Sequence, residues 1–148
     1  MYLMKETPIV EGVTIEPSVS QVGDLYINFL CRIEGWKTKC KNLHWAAPKK
    51  NVHVYLDEFL GVLSDYQDTV AEGIMGVLNT HLGPNDVKGT PGNASTASEL
   101  VSEVKEKTLA FYSRIPSDPL YVGLKSECET FIQNVNKYDY LFSLTDQE

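Results

Sequence analysis

An all-α four-helix bundle is the fold the sequence predicts, with a long connection between its second and third helices. Three observations carry this. Four stretches keep apolar residues at a 3.6-residue period, a breaker-rich segment divides them two and two, and no stretch alternates in the manner of a half-buried strand. The 148 residues make one domain, long enough to bury a core without disulfides or a structural metal.

Residues 1–17 hold Pro8 and Pro17 and no helical period, so they read as an extended N-terminal arm, with the bundle over residues 18–148. Ser18 or Ser20 caps the first helix. Its inner stripe is Val22, Leu25, Tyr26, Phe29, Leu30, Ile33, Trp36, Cys40 and Leu43, and it runs to His44. Ala46 to Lys50 turn the chain, and Asn51 caps a long second helix with the stripe Val52, Leu56, Phe59, Leu60, Leu63, Tyr66, Val70, Ile74 and Val77. Between Leu82 and Asn93, five glycines and prolines make a segment too long for a hairpin turn, which should cross from one helix pair to the other.

Thr96 and Glu99 have capping-box spacing at the start of the third helix, whose face is Ala97, Leu100, Val101, Val104, Thr108, Phe111 and Ile115. Pro116 stops it. Asp118 and Pro119 open the fourth, with Leu120, Leu124, Cys128, Phe131, Val135, Tyr138 and Phe142 inward. Four amphipathic helices joined in this way describe a ferritin-like four-helix bundle.

A net charge of -7 argues against a sequence-independent grip on nucleic acid, which draws its affinity from clustered Lys and Arg. Cations are the more natural guests. The one basic cluster, Lys37, Lys39, Lys41, Lys49 and Lys50, flanks the end of the first helix and reads as a solvated end complementing the helix dipole. Cys31 and Cys40 are too far apart on one helix to bridge, and the third cysteine, Cys128, leaves an odd count, which fits a reducing cytoplasm. No apolar run of signal or membrane-span length is present, so the expectation is a cytoplasmic protein without a membrane partner. His81 reads as a charge near the end of the second helix, and Asn93-Ala94-Ser95 as a capping loop.

The second helix carries His53, Asp57, Asp68 and Glu72, two pairs each spaced four apart. At about 100° per residue they form a stripe roughly 100° wide, centred roughly 130° from the core stripe. They therefore face away from the chain's own interior. Asp57 and Asp68 are eleven residues apart, roughly 16 Å along the helix, whereas a two-metal centre holds its ions about 4 Å apart. One chain does not close the site. If two copies of this helix cross antiparallel near residues 62 and 63, each His53/Asp57 end meets an Asp68/Glu72 end, giving two identical composite sites. Gly61 and Ser64 are small enough to permit the crossing. His44, at the end of the first helix, joins the His53 end. Two imidazoles and three carboxylates suit Fe(II), Mn or Zn rather than a thiolate-loving metal.

The run His44-Trp45, then His53-x-x-x-Asp57, then Asp68-Thr-Val-Ala-Glu72, resembles the ferroxidase signature of the Dps family, the DNA-binding proteins from starved cells. The spacing from His53 through Glu72 agrees at every ligand. The similarity spans about Ser18 to Leu144, resting elsewhere on architecture.

The resemblance implies a dodecameric hollow shell built from two-fold dimers, which oxidises Fe(II) with hydrogen peroxide or oxygen, stores ferric mineral and protects against oxidative stress. His44, His53 and Asp57 would be ligands from one subunit, and Asp68 and Glu72 from its mate. Trp45 would be the tryptophan beside the centre, an electron sink for stray oxidising equivalents. The chain departs from the pattern in a His44–His53 link about three residues short, in Val54 for a common Glu, and in Gly73 for a common Arg; the last two remove groups that would orient ligands. The lysine-rich tail that holds DNA in some members is missing, for Lys5 is the only basic residue before Arg32, which argues against DNA as a partner. The alternatives are a structural or interaction shell with little or no ferroxidase activity, and a nucleoid-binding shell using the Lys37 to Lys50 cluster.

Overall fold

Gly23 sets where the first helix begins. Its φ of 99° with ψ of 149° is a conformation that side-chain-bearing residues rarely adopt, so α1 runs Asp24–Ala46. The start is therefore later than a cap at Ser18 or Ser20 would place it, and both serines lie outside the described residues. The computed structural model describes residues 9–10, 13–14 and 22–145. Most of the expected arm lies outside them, but Ile9–Val10 (β1) and Val13–Thr14 (β2) pair antiparallel, a strand pairing the sequence pattern does not announce.

The other helices are α2 (Lys50–Leu78), α3 (Ala97–Arg114) and α4 (Val122–Ser143), the last preceded by a 3₁₀ turn at Pro119–Tyr121. Lys49 caps α2, not Asn51, whose side chain accepts instead from the adjacent Val52 nitrogen at 2.8 Å. Asn79 ends α2 in the left-handed region (φ 52°), which asparagine tolerates better than most residues. His81 consequently lies beyond the helix it was expected to cap. At α3 the capping box forms: Thr96 Oγ1 accepts from the Glu99 nitrogen at 3.1 Å, and the Glu99 carboxylate accepts from the Ser95 nitrogen at 2.8 Å.

One core runs the length of the four helices. Contacts between the helices show all four antiparallel neighbour relations. Phe29 of α1 stacks on Phe111 of α3 with centroids 3.8 Å apart, and Tyr66 of α2 stacks on Phe131 of α4 at 4.0 Å. Gln67 of α2 donates to Glu34 of α1 at 3.0 Å, and Lys105 of α3 pairs with Asp139 of α4 at 2.8 Å. The expected inner residues of α3, and those of α4 from Leu124 onward, are buried. Leu120 is not, being 46% exposed, because the 3₁₀ turn breaks the α-helical phase on which its inward position depended. In α2 Leu78 is buried while Val77 is only half-buried, and Leu60 also lies at the rim.

Residues 79–96 connect α2 to α3 and lie against α1. The Thr90 nitrogen donates to the Cys31 carbonyl at 2.9 Å, and Cys31 Sγ lies 3.4 Å from the Lys88 nitrogen that donates to it. The approach is close enough to need Gly35, where a Cβ would stand 1.9 Å from the Thr90 carbonyl oxygen. Among the described residues, no helix is long and apolar enough to cross a membrane.

Candidate metal centre

The α1–α2 corner is built from three residues, since α1 ends at Ala46 and α2 begins at Lys50. So short a turn folds the two helices back at once. His44, in the last turn of α1, therefore lies opposite His53, in the first turn of α2. Their rings stack with centroids 3.7 Å apart and planes 21° from parallel. His44 Nδ1 lies 2.7 Å from the His53 carbonyl oxygen, and His53 Nδ1 lies 2.7 Å from the His44 carbonyl oxygen.

This reciprocity fixes the chemistry of both rings. A carbonyl oxygen only accepts, so each Nδ1 carries the proton and donates it. In the neutral imidazole the remaining lone pair is then on Nε2. Backbone hydrogen bonds that fix tautomer and ring orientation are what metal-ligating histidines use. Each bond also contributes about 0.5–1.5 kcal/mol to closing the corner.

Asp57 stands one turn beyond His53 and is exposed. Its carboxylate is felt inside the corner: burial first, and the Asp57 charge second, push the Cys40 thiol up to about 12. Cys40 is fully buried, and its Sγ donates to the Leu56 carbonyl at 3.1 Å, so it is an inert core group rather than a thiolate ligand. Asp68 and Glu72 are exposed on the same side of α2, well along the helix from the corner. The structure thus brings His44 and His53 together and leaves Asp68 and Glu72 apart from them. Among the described residues of the single chain, no three His, Cys, Asp or Glu side chains gather into a group able to hold a metal ion.

Between the two ends of the stripe lies Gly61, exposed, where a Cβ would meet nothing within 4 Å. The bundle therefore has no use of its own for a glycine there. Trp45, next to His44, is 67% exposed, and the Lys41 ammonium lies 5.6 Å from its ring centroid. Lys37 of the basic cluster is engaged, donating to Gln67 at 2.8 Å and Glu34 at 3.3 Å. Lys37 and Lys41 of the cluster thus serve local contacts.

Sequence reasoning missed the reciprocal histidine bonds, although a nine-residue spacing across a tight helical turn is the signal that would have suggested them. It also missed Gly35 and Cys31, which anchor the connector; a glycine inside a strong helical period is the mark of a close approach. The chain matches no protein-family model, no curated protein and no solved structure.

Proposed function

We propose that the chain is a Dps-like ferroxidase with a ferritin-like bundle, working as two-fold pairs in which α2 of each protomer lies antiparallel against α2 of the other. The observation that carries the reading is the outward face of α2. Asp57, Asp68 and Glu72 stand exposed on it, with the pre-oriented His44/His53 pair at its N-terminal end. Carboxylates recur on this face at metal-ligand spacing, and paired imidazoles with both Nδ1 atoms engaged keep Nε2 for coordination. The order of the helices supports the ferritin-like part: α1 beside α2 and α3, α4 beside α2 and α3, and a connector lying along α1.

Charge favours the antiparallel sense. The N-terminal end of this face carries Lys50 and the imidazoles beside Asp57, whereas the C-terminal half carries Asp68 and Glu72 with no basic residue. Each acidic half then meets the less acidic end of its mate, whereas a parallel pairing sets like charges face to face. Gly61 at the centre lets the backbones approach.

In this arrangement Fe(II) is the substrate. The Asp57, Asp68 and Glu72 carboxylates offset its charge, and the Nε2 lone pairs of His44 and His53 complete a mixed nitrogen and oxygen set that leaves room for an oxidant. With hydrogen peroxide, two Fe(II) each give up one electron, the O–O bond breaks, and two protons are taken up to form two waters. Ferric mineral stored within a twelve-subunit shell is the end of the sequence, and Trp45, next to His44, gives up an electron to stray oxidant in this reading. Anaerobic Fe(II) loading followed by peroxide should give a ferric absorbance that disappears in the Asp68→Ala/Glu72→Ala variant. Unchanged oxidation in that variant removes the proposed centre.

One observation favours a second reading, a shell or pairing protein with little oxidation. The histidine bonds that orient the rings also close the α1–α2 corner, so both residues have a structural use without metal. Absence of iron uptake by a well-formed oligomer would select it.

A further inference from the structure

A cleft of about 280 Å³ opens between α1 and α3, with Asn28 and Arg32 on its α1 side and Lys107 and Arg114 on its α3 side. The Phe29 and Phe111 rings, stacked with centroids 3.8 Å apart, give it an apolar floor. No Asp or Glu lines it. Arg32 and Arg114 are the only arginines in the sequence, and the fold brings both to this one cleft in a chain of net charge -7. Lys107 and Arg114 are seven residues apart, so they share a face of α3 roughly 10 Å apart along its axis. Two long side chains can close that span around one anion.

The chain supplies no counter-charge there. Among the described residues no carboxylate pairs with Arg32, Lys107 or Arg114. Arg32 and Lys107 also border the next cleft toward the connector, where Glu99, Glu103 and Glu106 stand. Two of those acids are engaged elsewhere: Glu103 accepts from the Trp36 indole nitrogen at 3.0 Å, and Glu99 accepts from the Ser95 nitrogen at 2.8 Å. Like charges gathered without an opposite charge repel one another, and an anion is the complement that the chain's own residues leave out.

We propose that this cleft binds a small organic phosphate, its phosphate group held by Arg32, Lys107 and Arg114 and its apolar body laid over Phe29 and Phe111. A guanidinium stays charged at any physiological pH and its planar fork matches phosphate oxygens two at a time. Three cations suit a phosphate monoester, which carries about -1.5 to -2 near neutrality, better than a single carboxylate. The Asn28 amide adds a neutral donor at the same wall. The volume lies at the lower edge of the roughly 300–1,000 Å³ usual for small-molecule sites, which fits one phosphate and one ring rather than a longer chain. This cleft shares no residue with the proposed iron centre and does not depend on it.

The test is calorimetric titration of the full-length protein with phenyl phosphate, and separately with inorganic phosphate, in the presence of a chelator so that metal-bound phosphate does not contribute. The expected result is saturable binding of phenyl phosphate, weakened about tenfold or more by Arg32→Gln/Arg114→Gln and weakened by added salt. Inorganic phosphate, which leaves the Phe29 and Phe111 floor uncovered, should bind more weakly than the ester. Far-UV circular dichroism checks the fold, and Arg114→Gln alone, at an exposed position, serves if the double variant loses helix. No saturable binding, binding indifferent to the two arginines, or inorganic phosphate binding as tightly as the ester overturns the proposal.

Discussion

His44 and His53 each donate Nδ1–H to the other's carbonyl oxygen across 2.7 Å, so one pair of rings closes the α1–α2 corner and turns two Nε2 atoms free. The two roles separate by substitution. His44→Phe keeps a ring in the stack but removes a hydrogen bond and an Nε2. It should cost about 1 kcal/mol of stability by urea denaturation and should slow peroxide-driven Fe(II) oxidation under saturating iron. Lost stability with unchanged oxidation would assign the pair a structural role alone.

Gly35→Ala and Gly61→Ala should have opposite signs. At Gly35 the new Cβ meets the Thr90 carbonyl at 1.9 Å, and backbone must move. The overpacking cost of about 3 kcal/mol outweighs the ~1 kcal/mol that alanine gains over glycine in a helix. At Gly61 a Cβ meets nothing within 4 Å, so the isolated chain should gain up to about 1 kcal/mol. Denaturant midpoints of the two variants decide this.

Glu34 supplies an acid-dependent contribution to stability. The hydrogen bond donated by Gln67, joined by the Lys37 charge, holds its carboxyl below the ordinary value. A lowered folded value means the stabilisation is present above the unfolded pKa and is lost as pH falls through the folded one. Glu34→Gln should therefore lower the melting temperature near neutrality and reduce the further drop between about pH 6 and about pH 3. The effect is small because the side chain is partly exposed and screened. An unchanged acid drop in the variant would remove Glu34 from the account.

The sequence was most informative where local and periodic signals agree. Thr96 and Glu99 cap α3 as their spacing says, and the inner stripes of α3 and α4 follow the 3.6-residue period from Ala97 to Phe142. It was weakest where one residue resets the phase. Gly23 delays α1, Asn79 ends α2 before His81, and the 3₁₀ turn after Asp118 rotates Leu120 outward. Gly35 was illegible for a different reason: its close contact is with Thr90, fifty-five positions away, and no local pattern encodes that. In the candidate site, the stripe of His53, Asp57, Asp68 and Glu72 could be read from helix geometry alone. The Nδ1–H donors of His44 and His53 could not, because they depend on how tightly Ala47 to Lys49 turn the chain.

Subunit complementation tests the proposed shared centre most directly. One variant carries His53→Ala with Asp57→Ala, the other Asp68→Ala with Glu72→Ala, and each alone should be inactive toward Fe(II). Refolded as an equal mixture, half of the pairs are hybrids holding one intact site of two. About one quarter of the wild-type oxidation rate should return. A mixture of properly folded, paired chains that remains as inactive as its components would contradict the shared site.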